Sequence, residues 1–214
     1  FNGFKLGIGY SQTTGPDEVQ EIRKIVEEES YYKSLEKGTI TKKDVTEDYF
    51  EDVLKRVRLN KKFKIVIDSG CGTTGKYVEE LFTRAGCKVI GKNMKVDGHF
   101  PIGTPDPTAK EVMDRVSKAV LEEKADMGVA FDGDGDRIGT VDEKGRILWN
   151  DVLIAIFAKE ILTRFPKSKI IYNTLCSQIV REVVKQNGGI PVIWKTGHSF
   201  IKAKIAEERA AFGG

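Results

Sequence analysis

The sequence lacks three features that mark large classes of protein: an excess of one charge, a long apolar run and a cysteine framework. Its 35 basic and 32 acidic side chains leave a net charge of +3, so electrostatics give no case for nucleic acid or a membrane surface as a partner. The longest purely apolar run, VLIAIFA at 152–158, is too short to cross a bilayer. The three cysteines, Cys71, Cys87 and Cys176, form no C-x-x-C pair. This excludes a disulfide-rich scaffold and favours a reducing, cytoplasmic compartment.

The sequence also shows neither a signal peptide nor an initiator methionine. It starts with FNGFK and stops at AAFGG, so we expect a segment of a longer protein. The chain has 214 residues, of which 40% are hydrophobic. That leaves room for one large domain or for two of about 100 residues each.

Strand and helix patterns alternate along the chain. Apolar runs predict strands at 63–68, 88–91, 127–131, 138–142, 146–149, 169–173 and 190–194. Helical spacing predicts helices from 16 to about 30, from 46, at 74–85, about 107–124, 150–164 and 177–187, and from about 199. The strand KIVID recurs as KIIYN after 105 residues, each followed by a helix, a glycine and another strand. This repeat predicts an α/β protein of consecutive similar domains, with mixed, partly parallel sheets flanked by helices.

A glycine-rich turn in IVIDSGCGTTGKY, 65–77, is similar to two nucleotide-binding loops. Gly70, Gly72 and Gly75 fit G-x-G-x-x-G, and the stretch also fits the start of a P-loop, G-x-x-x-x-G-K. A P-loop needs Ser or Thr where this chain has Tyr77, and a dinucleotide site needs an acidic residue at the end of the next strand, which is missing here. We therefore predict a structural turn that packs helix 74–85 onto the sheet.

The stronger chemical signal is AFDGDGDR, in which Asp132, Asp134 and Asp136 alternate with Gly133 and Gly135 directly after an apolar strand. Three carboxylates in five residues repel one another unless a cation lies among them. Hard oxygen ligands at this spacing suit Mg²⁺ or Ca²⁺. An acidic surface turn is the alternative.

Two known metal loops fit this stretch poorly. An EF-hand also begins D-x-D-x-D and would use Glu143 at its twelfth position, but its sixth position needs glycine and here is Arg137. The EF-hand is also flanked by helices, whereas strands are predicted on both sides here. Phosphatases of the haloacid-dehalogenase type carry D-x-D-x-T, and the fifth residue here is Asp136.

The acidic stretch, together with TVDEKGR after it, resembles the magnesium loop of the α-D-phosphohexomutases, in particular the phosphomannomutase/phosphoglucomutase branch. Three further segments resemble that family in the same order: NGFK at 2–5, DGHFPIGTPDPT at 97–108 and WKTGHSFIK at 194–202. The resemblance implies the end of a first domain at 1–44, a second domain with the metal loop at 45–148 and an incomplete third domain at 149–214.

The resemblance also implies a reaction. A phosphoserine, with Mg²⁺, donates phosphate to a mannose or glucose 1- or 6-phosphate, and the bisphosphorylated sugar then returns its other phosphate to the serine. Phosphoglucosamine mutase activity within the family, and a non-catalytic calcium- or sugar-phosphate-binding module, are the alternatives.

The resemblance implies three roles for the residues that match the family motifs. The metal ligands are Asp132, Asp134 and Asp136. The catalytic residues are Lys5, Arg137 and His198. The substrate-binding residues are Lys195, Thr196, Gly197 and His198.

The sequence departs from the family pattern in several places. The phosphoserine loop, the G-E-x-S-G-H sugar loop and the C-terminal phosphate-binding domain are absent from these 214 residues, so we expect the chain by itself to be inactive. Leu175 stands where bifunctional bacterial relatives carry lysine. This leaves the choice of sugar open, and the sequence sets no oligomeric state.

Overall fold

The computed structural model describes residues 6–8 and 12–214. They fall into two compact units, one formed by Lys42–Trp149 and the other by Asn150–Gly214 with the described residues before 42. In the segment before 42, the short strands β1 (Gly7–Ile8) and β2 (Gln12–Thr13) pair antiparallel, and helix α1 (Pro16–Glu27) follows. The division into three domains stays a prediction. Within the part of the chain that the structure describes, no helix is long and apolar enough to cross a membrane.

The unit Lys42–Trp149 is built on a five-stranded mixed sheet. Its elements are α2 (Thr46–Arg56), β3 (Lys64–Asp68), α3 (Gly75–Arg84), β4 (Lys88–Lys92), α4 (Lys110–Glu123), β5 (Met127–Phe131), β6 (Ile138–Asp142) and β7 (Ile147–Leu148). The strand order is β4-β3-β5-β6-β7. Strand β3 runs parallel to both of its neighbours, and β5, β6 and β7 form an antiparallel meander.

Helices cover both faces of this sheet, which explains why the central strands β3 and β5 carry apolar residues toward both faces. Helix α4 places Met113, Val116 and Val120 against one face, where they meet Val66 and Val141. Alternate residues of β3 point to the opposite face. The buried residues of that second cluster are Ile65, Ile67, Cys87 and Val129, with Val78 and Phe82 of α3 packed against them.

Gly128 on β5 allows α4 to approach the sheet closely. A methyl group at this position would lie 2.5 Å from Val116 Cγ1 and 2.5 Å from Val120 Cγ2. Because the core has no space for it, Gly128→Ala is expected to lower the unfolding free energy of this unit by about 2 kcal/mol. Gly98→Ala is the matched control, because a methyl group there would meet no atom within 4 Å. Native-state hydrogen exchange of the β3 amides measures both effects, and equal losses in the two variants would contradict the explanation.

The second unit repeats the same plan on a smaller sheet. After α5 (Asn150–Arg164), its elements are β8 (Lys169–Asn173), α6 (Gln178–Gln186), β9 (Ile190–Trp194), α7 (His198–Glu208) and β10 (Phe212–Gly213). The order is β10-β8-β9, and all pairs are parallel. Its core consists of Ala158, Leu162, Ile170, Tyr172, Val180 and Val184. The predicted α/β class, with consecutive similar units and mixed, partly parallel sheets, is confirmed.

Candidate functional site

The acidic stretch forms a tight loop between β5 and β6. Asp132 and Arg137 close it, because the Arg137 backbone N–H donates to Asp132 Oδ1 at 3.1 Å and the Asp132 N–H points to the Arg137 carbonyl at 3.4 Å. Inside the loop the Gly135 N–H donates to the Asp132 carbonyl at 3.2 Å. Gly135 has φ of +74°, a left-handed conformation that glycine adopts without strain. The backbone therefore reverses direction within a few residues, and the three aspartates lie close together along a tight loop.

The loop brings the three carboxylates together. One oxygen of each of Asp132, Asp134 and Asp136 lies within 4.8 Å of the others. The Asp132 side chain is 14% exposed and that of Asp136 is 47% exposed, so the group opens to solvent on one side. Ligands of one Mg²⁺ lie at most about 4.2 Å apart, twice the magnesium–oxygen distance. The donor set fits a hard divalent cation after a small closure of the loop.

Arg137 lies beside these carboxylates with most of its side chain exposed. Its Nε is 3.8 Å from Asp132 Oδ2 and 3.9 Å from Asp136 Oδ1, and the side chain is 64% exposed. These separations are longer than hydrogen bonds, so the guanidinium keeps donors for another acceptor. A planar guanidinium suits a pair of phosphate oxygens. Arg137 is therefore placed to bind a phosphate group next to the acidic loop.

The glycine-rich turn makes direct contact with the acidic loop, which the sequence analysis missed. The Thr73 backbone N–H and its Oγ1 both donate to the Gly133 carbonyl, at 2.9 and 3.2 Å. A methyl group on Gly72 would lie 2.7 Å from that same carbonyl oxygen, and one on Gly135 would lie 2.0 Å from Thr74 Cγ2. The turn follows β3 and the loop follows the neighbouring parallel strand β5, so both lie at the carboxyl edge of the sheet.

Asp68, the last residue of β3, supports the glycine-rich turn through hydrogen bonds to its carboxylate. It is 2% exposed. Its Oδ1 accepts from the Gly70 N–H at 2.9 Å and from Asn93 Nδ2 at 3.0 Å, and its Oδ2 accepts from Arg115 Nε at 2.8 Å. A buried carboxylate is costly without such partners. The turn is therefore tied to strand β4 and to helix α4 through one side chain.

The segment 97–108 packs on the same edge. Pro105 would collide with a methyl group on Gly70, whose Cβ would lie 2.3 Å from the proline Cβ. Pro105 and Phe100 also flank Gly133, each 3.6 Å from the place where its Cβ would be. The hydroxyl and backbone N–H of Thr108 donate to Asp106 and hold the pKa of that carboxyl below its ordinary value. Two separate segments, the glycine-rich turn and 97–108, thus meet the acidic loop at its glycines.

The second candidate segment lies between β9 and α7 in the other unit. Gly197 precedes the first helical residue, His198, with φ of +128° and no side-chain cap. No acidic residue occurs in the first turn of α7, so the N–H groups of the helix start remain suited to an anion. Lys195 Nζ lies 3.9 Å from the centre of the Phe200 ring.

Two neighbouring strand ends meet beside this segment. Thr196 Oγ1 is 3.4 Å from Thr174 Oγ1, which follows the parallel strand β8. Leu175 is 80% exposed at the same edge. The structure therefore places Lys195, Thr196, Gly197 and His198 around one helix start, while the acidic loop and Arg137 belong to the unit Lys42–Trp149. Lys5, the remaining predicted site residue, lies outside the described residues.

Comparisons with known proteins agree with this arrangement. Residues 47–145 match the family model described as phosphoglucomutase/phosphomannomutase, alpha/beta/alpha domain II, and residues 149–214 match domain III. A phosphomannomutase/phosphoglucomutase of Pseudomonas aeruginosa is 36% identical over 214 residues, which cover 100% of this chain and 46% of the relative. A phosphomannomutase of Methanocaldococcus jannaschii is 36% identical over 220 residues, with 100% and 48% covered.

A solved structure is also similar. The phosphoglucomutase/phosphomannomutase family protein of Burkholderia thailandensis superimposes with a TM-score of 0.88 at 35% identity, over 92% of this chain and 43% of that protein. The chain therefore spans about half the length of the curated relatives that it matches.

Proposed function

Because the chain belongs to the phosphoglucomutase/phosphomannomutase family, we propose that it supplies part of a phosphohexomutase that interconverts hexose 1-phosphate and hexose 6-phosphate. We propose mannose phosphate, glucose phosphate or both as substrates, and a phosphoserine and a bisphosphorylated sugar as intermediates. The convergence of Asp132, Asp134 and Asp136 within 4.8 Å carries this proposal. It puts hard oxygen ligands within the part that matches the family's second domain.

In this proposal the acidic loop holds Mg²⁺ through its three carboxylates. The bound ion would offset the negative charge that develops on the phosphoryl group during transfer. Arg137, with its exposed guanidinium, binds oxygens of that group and limits its rotation. Asp132, which accepts the Arg137 backbone N–H at 3.1 Å, keeps Arg137 at the edge of the loop.

The start of α7 would hold the hexose phosphate. Its N–H groups favour an anion, and Gly197 allows a ligand to approach the backbone. Lys195 and His198 add donors at the ends of this segment, and the Thr196 hydroxyl is available to a sugar hydroxyl. Lys5 is proposed as a general acid/base or phosphate contact. A lysine base needs a pKa lowered by burial or by neighbouring cations.

Turnover assays of the whole protein that contains this chain test the proposal. Mannose, glucose and glucosamine 1-phosphates are compared at equal concentration, after treatment with a chelator and after Mg²⁺ is restored. We expect turnover of the mannose or glucose phosphate that is lost with the chelator and recovered with Mg²⁺. The 214-residue chain alone is expected to be inactive.

Each alternative gives a different result in the same set of assays. If glucosamine phosphate is turned over fastest, it replaces mannose and glucose phosphate as the proposed substrate. An absence of turnover in the whole protein, with calorimetric binding of Ca²⁺ much tighter than that of Mg²⁺, would favour the non-catalytic binding module instead.

A further inference from the structure

The glycine-rich turn at 69–75 contacts the acidic loop at the two glycines that separate its carboxylates. Thr73 donates twice to the carbonyl of Gly133, between the first two aspartates. The Thr74 methyl group packs against Gly135, between the second and third. We propose that this turn positions the acidic loop for the metal, with Thr73 and Thr74 as positioning residues. The inference rests on the proposed function, because it takes the loop to be a metal site.

The turn is rigid enough for such a role because hydrogen bonds tie it to the Asn93 carbonyl and also close it internally. The Cys71 N–H donates to the Asn93 carbonyl at 2.8 Å, and the Ser69 hydroxyl donates to the same carbonyl at 2.7 Å. The Gly72 N–H donates to the Ser69 carbonyl at 2.8 Å. Together with the buried Asp68 below it, this ties the turn to the sheet. A displacement of the turn would therefore require bonds of the sheet edge to break.

The acidic loop has a physical need for external support. Its carboxylates repel one another before any cation binds, and this repulsion favours an opened loop. Each contact from the turn acts on the backbone between two carboxylates, so it opposes that opening directly. A loop that is already closed loses less conformational freedom when it binds a ligand, and its affinity is higher for that reason.

The Thr73 hydroxyl gives a clean test with the 214-residue chain. Thr73→Val removes the side-chain donor but keeps the backbone N–H and the shape, whereas Thr73→Ser keeps the hydroxyl. Calorimetry with Mg²⁺ and Mn²⁺ is expected to show affinity about five-fold weaker for Thr73→Val, the equivalent of one hydrogen bond. Thr73→Ser is expected to remain near wild type.

Thr83→Val is the matched control. Its hydroxyl donates to the Glu79 carbonyl at 2.7 Å inside α3, on an exposed surface, and it should leave metal affinity unchanged. Equal affinities for wild type and Thr73→Val, or equal losses at Thr73 and Thr83, would overturn the proposal.

A double-mutant cycle tests the Thr74 contact. Gly135→Ala introduces a methyl group that would meet Thr74 Cγ2 at 2.0 Å, in a left-handed backbone conformation. It is expected to weaken metal affinity about ten-fold or more. Adding Thr74→Ala removes the collision but not the backbone strain. The double variant should therefore bind the metal about three-fold more tightly than Gly135→Ala alone. Strictly additive effects would overturn the contact's role.

A metal-free measurement separates this proposal from the proposed function. The Gly135 N–H bonds to the Asp132 carbonyl inside the loop at 3.2 Å, so its hydrogen exchange reports loop opening. Faster exchange in Thr73→Val than in Thr83→Val would support positioning by the turn, even if the wild-type chain bound neither metal and the metal assignment fell. Unchanged exchange would overturn the positioning role whatever the metal result.

Discussion

Replacing Asp134 with asparagine is expected to lower the turnover of the whole protein by about 100- to 1,000-fold. Asparagine keeps the size of the side chain and one oxygen donor, but it removes one of the three negative charges that lie within 4.8 Å. The remaining pair attracts a divalent cation less strongly and orients it less well. The expected changes are a reduced maximal rate at saturating hexose phosphate and a weaker calorimetric affinity of the 214-residue chain for Mg²⁺.

Glu143→Gln is the matched control for charge. Glu143 is exposed in the turn after β6, at the far end of that five-residue strand and so about 17 Å from the acidic loop. The same loss of one negative charge should leave turnover and Mg²⁺ affinity near wild type. A loss at Glu143 equal to that at Asp134 would contradict the assignment. It would also revive the EF-hand interpretation, in which Glu143 is a ligand.

The alternation of strands and helices could be predicted because its signals are local. One apolar run predicts strand β5 at its observed bounds, 127–131. Helical spacing predicts α4 from about 107, but the helix begins at Lys110. The reason is the bonded turn before it, in which Asp106 accepts from the N–H and hydroxyl of Thr108. The predicted start of α4 is thus too early because the Asp106 side chain binds a backbone donor just before the helix.

The acidic loop could be predicted for the same reason, since its carboxylates lie within five residues of one another. The contacts that support the loop could not be predicted. Thr73 and Gly133 are 60 residues apart, and Asp68 and Arg115 are 47 apart. These contacts depend on the strand order β4-β3-β5, which no local pattern specifies. The sequence therefore predicts only that the glycine-rich turn at 69–75 packs a helix onto the sheet, and its contact with the acidic loop is visible only in the structure.

The ion pair between the buried Asp68 and the partly exposed Arg115 gives the second large expected effect. Replacing Arg115 with methionine is expected to lower the unfolding free energy of the unit Lys42–Trp149 by about 2 kcal/mol, less than for a fully buried pair because the Arg115 side chain is 35% exposed. Methionine keeps the length of the side chain, but Asp68, only 2% exposed, loses the cation bound to its Oδ2 at 2.8 Å. The donors from Gly70 and Asn93 remain, and neutral donors do not offset the full cost of a buried charge. Native-state hydrogen exchange of the β3 amides measures the change.

Lys110→Met on helix α4 removes a cation from an exposed ion pair, so it separates the effect of burial on stability from the effect of losing a charge. Its partner Asp114 is 2.6 Å away, but the two side chains are 71% and 52% exposed, so this loss should cost at most about 0.5 kcal/mol. Adding Asp68→Asn to Arg115→Met should recover part of the stability, because no uncompensated charge then remains buried. Similar costs for the two single variants would contradict the explanation. Because Asp68 also accepts a hydrogen bond from Gly70, Arg115→Met should weaken the Mg²⁺ affinity of the acidic loop as well, whereas Lys110→Met should not. This difference would link the Asp68–Arg115 pair to the metal site through the glycine-rich turn.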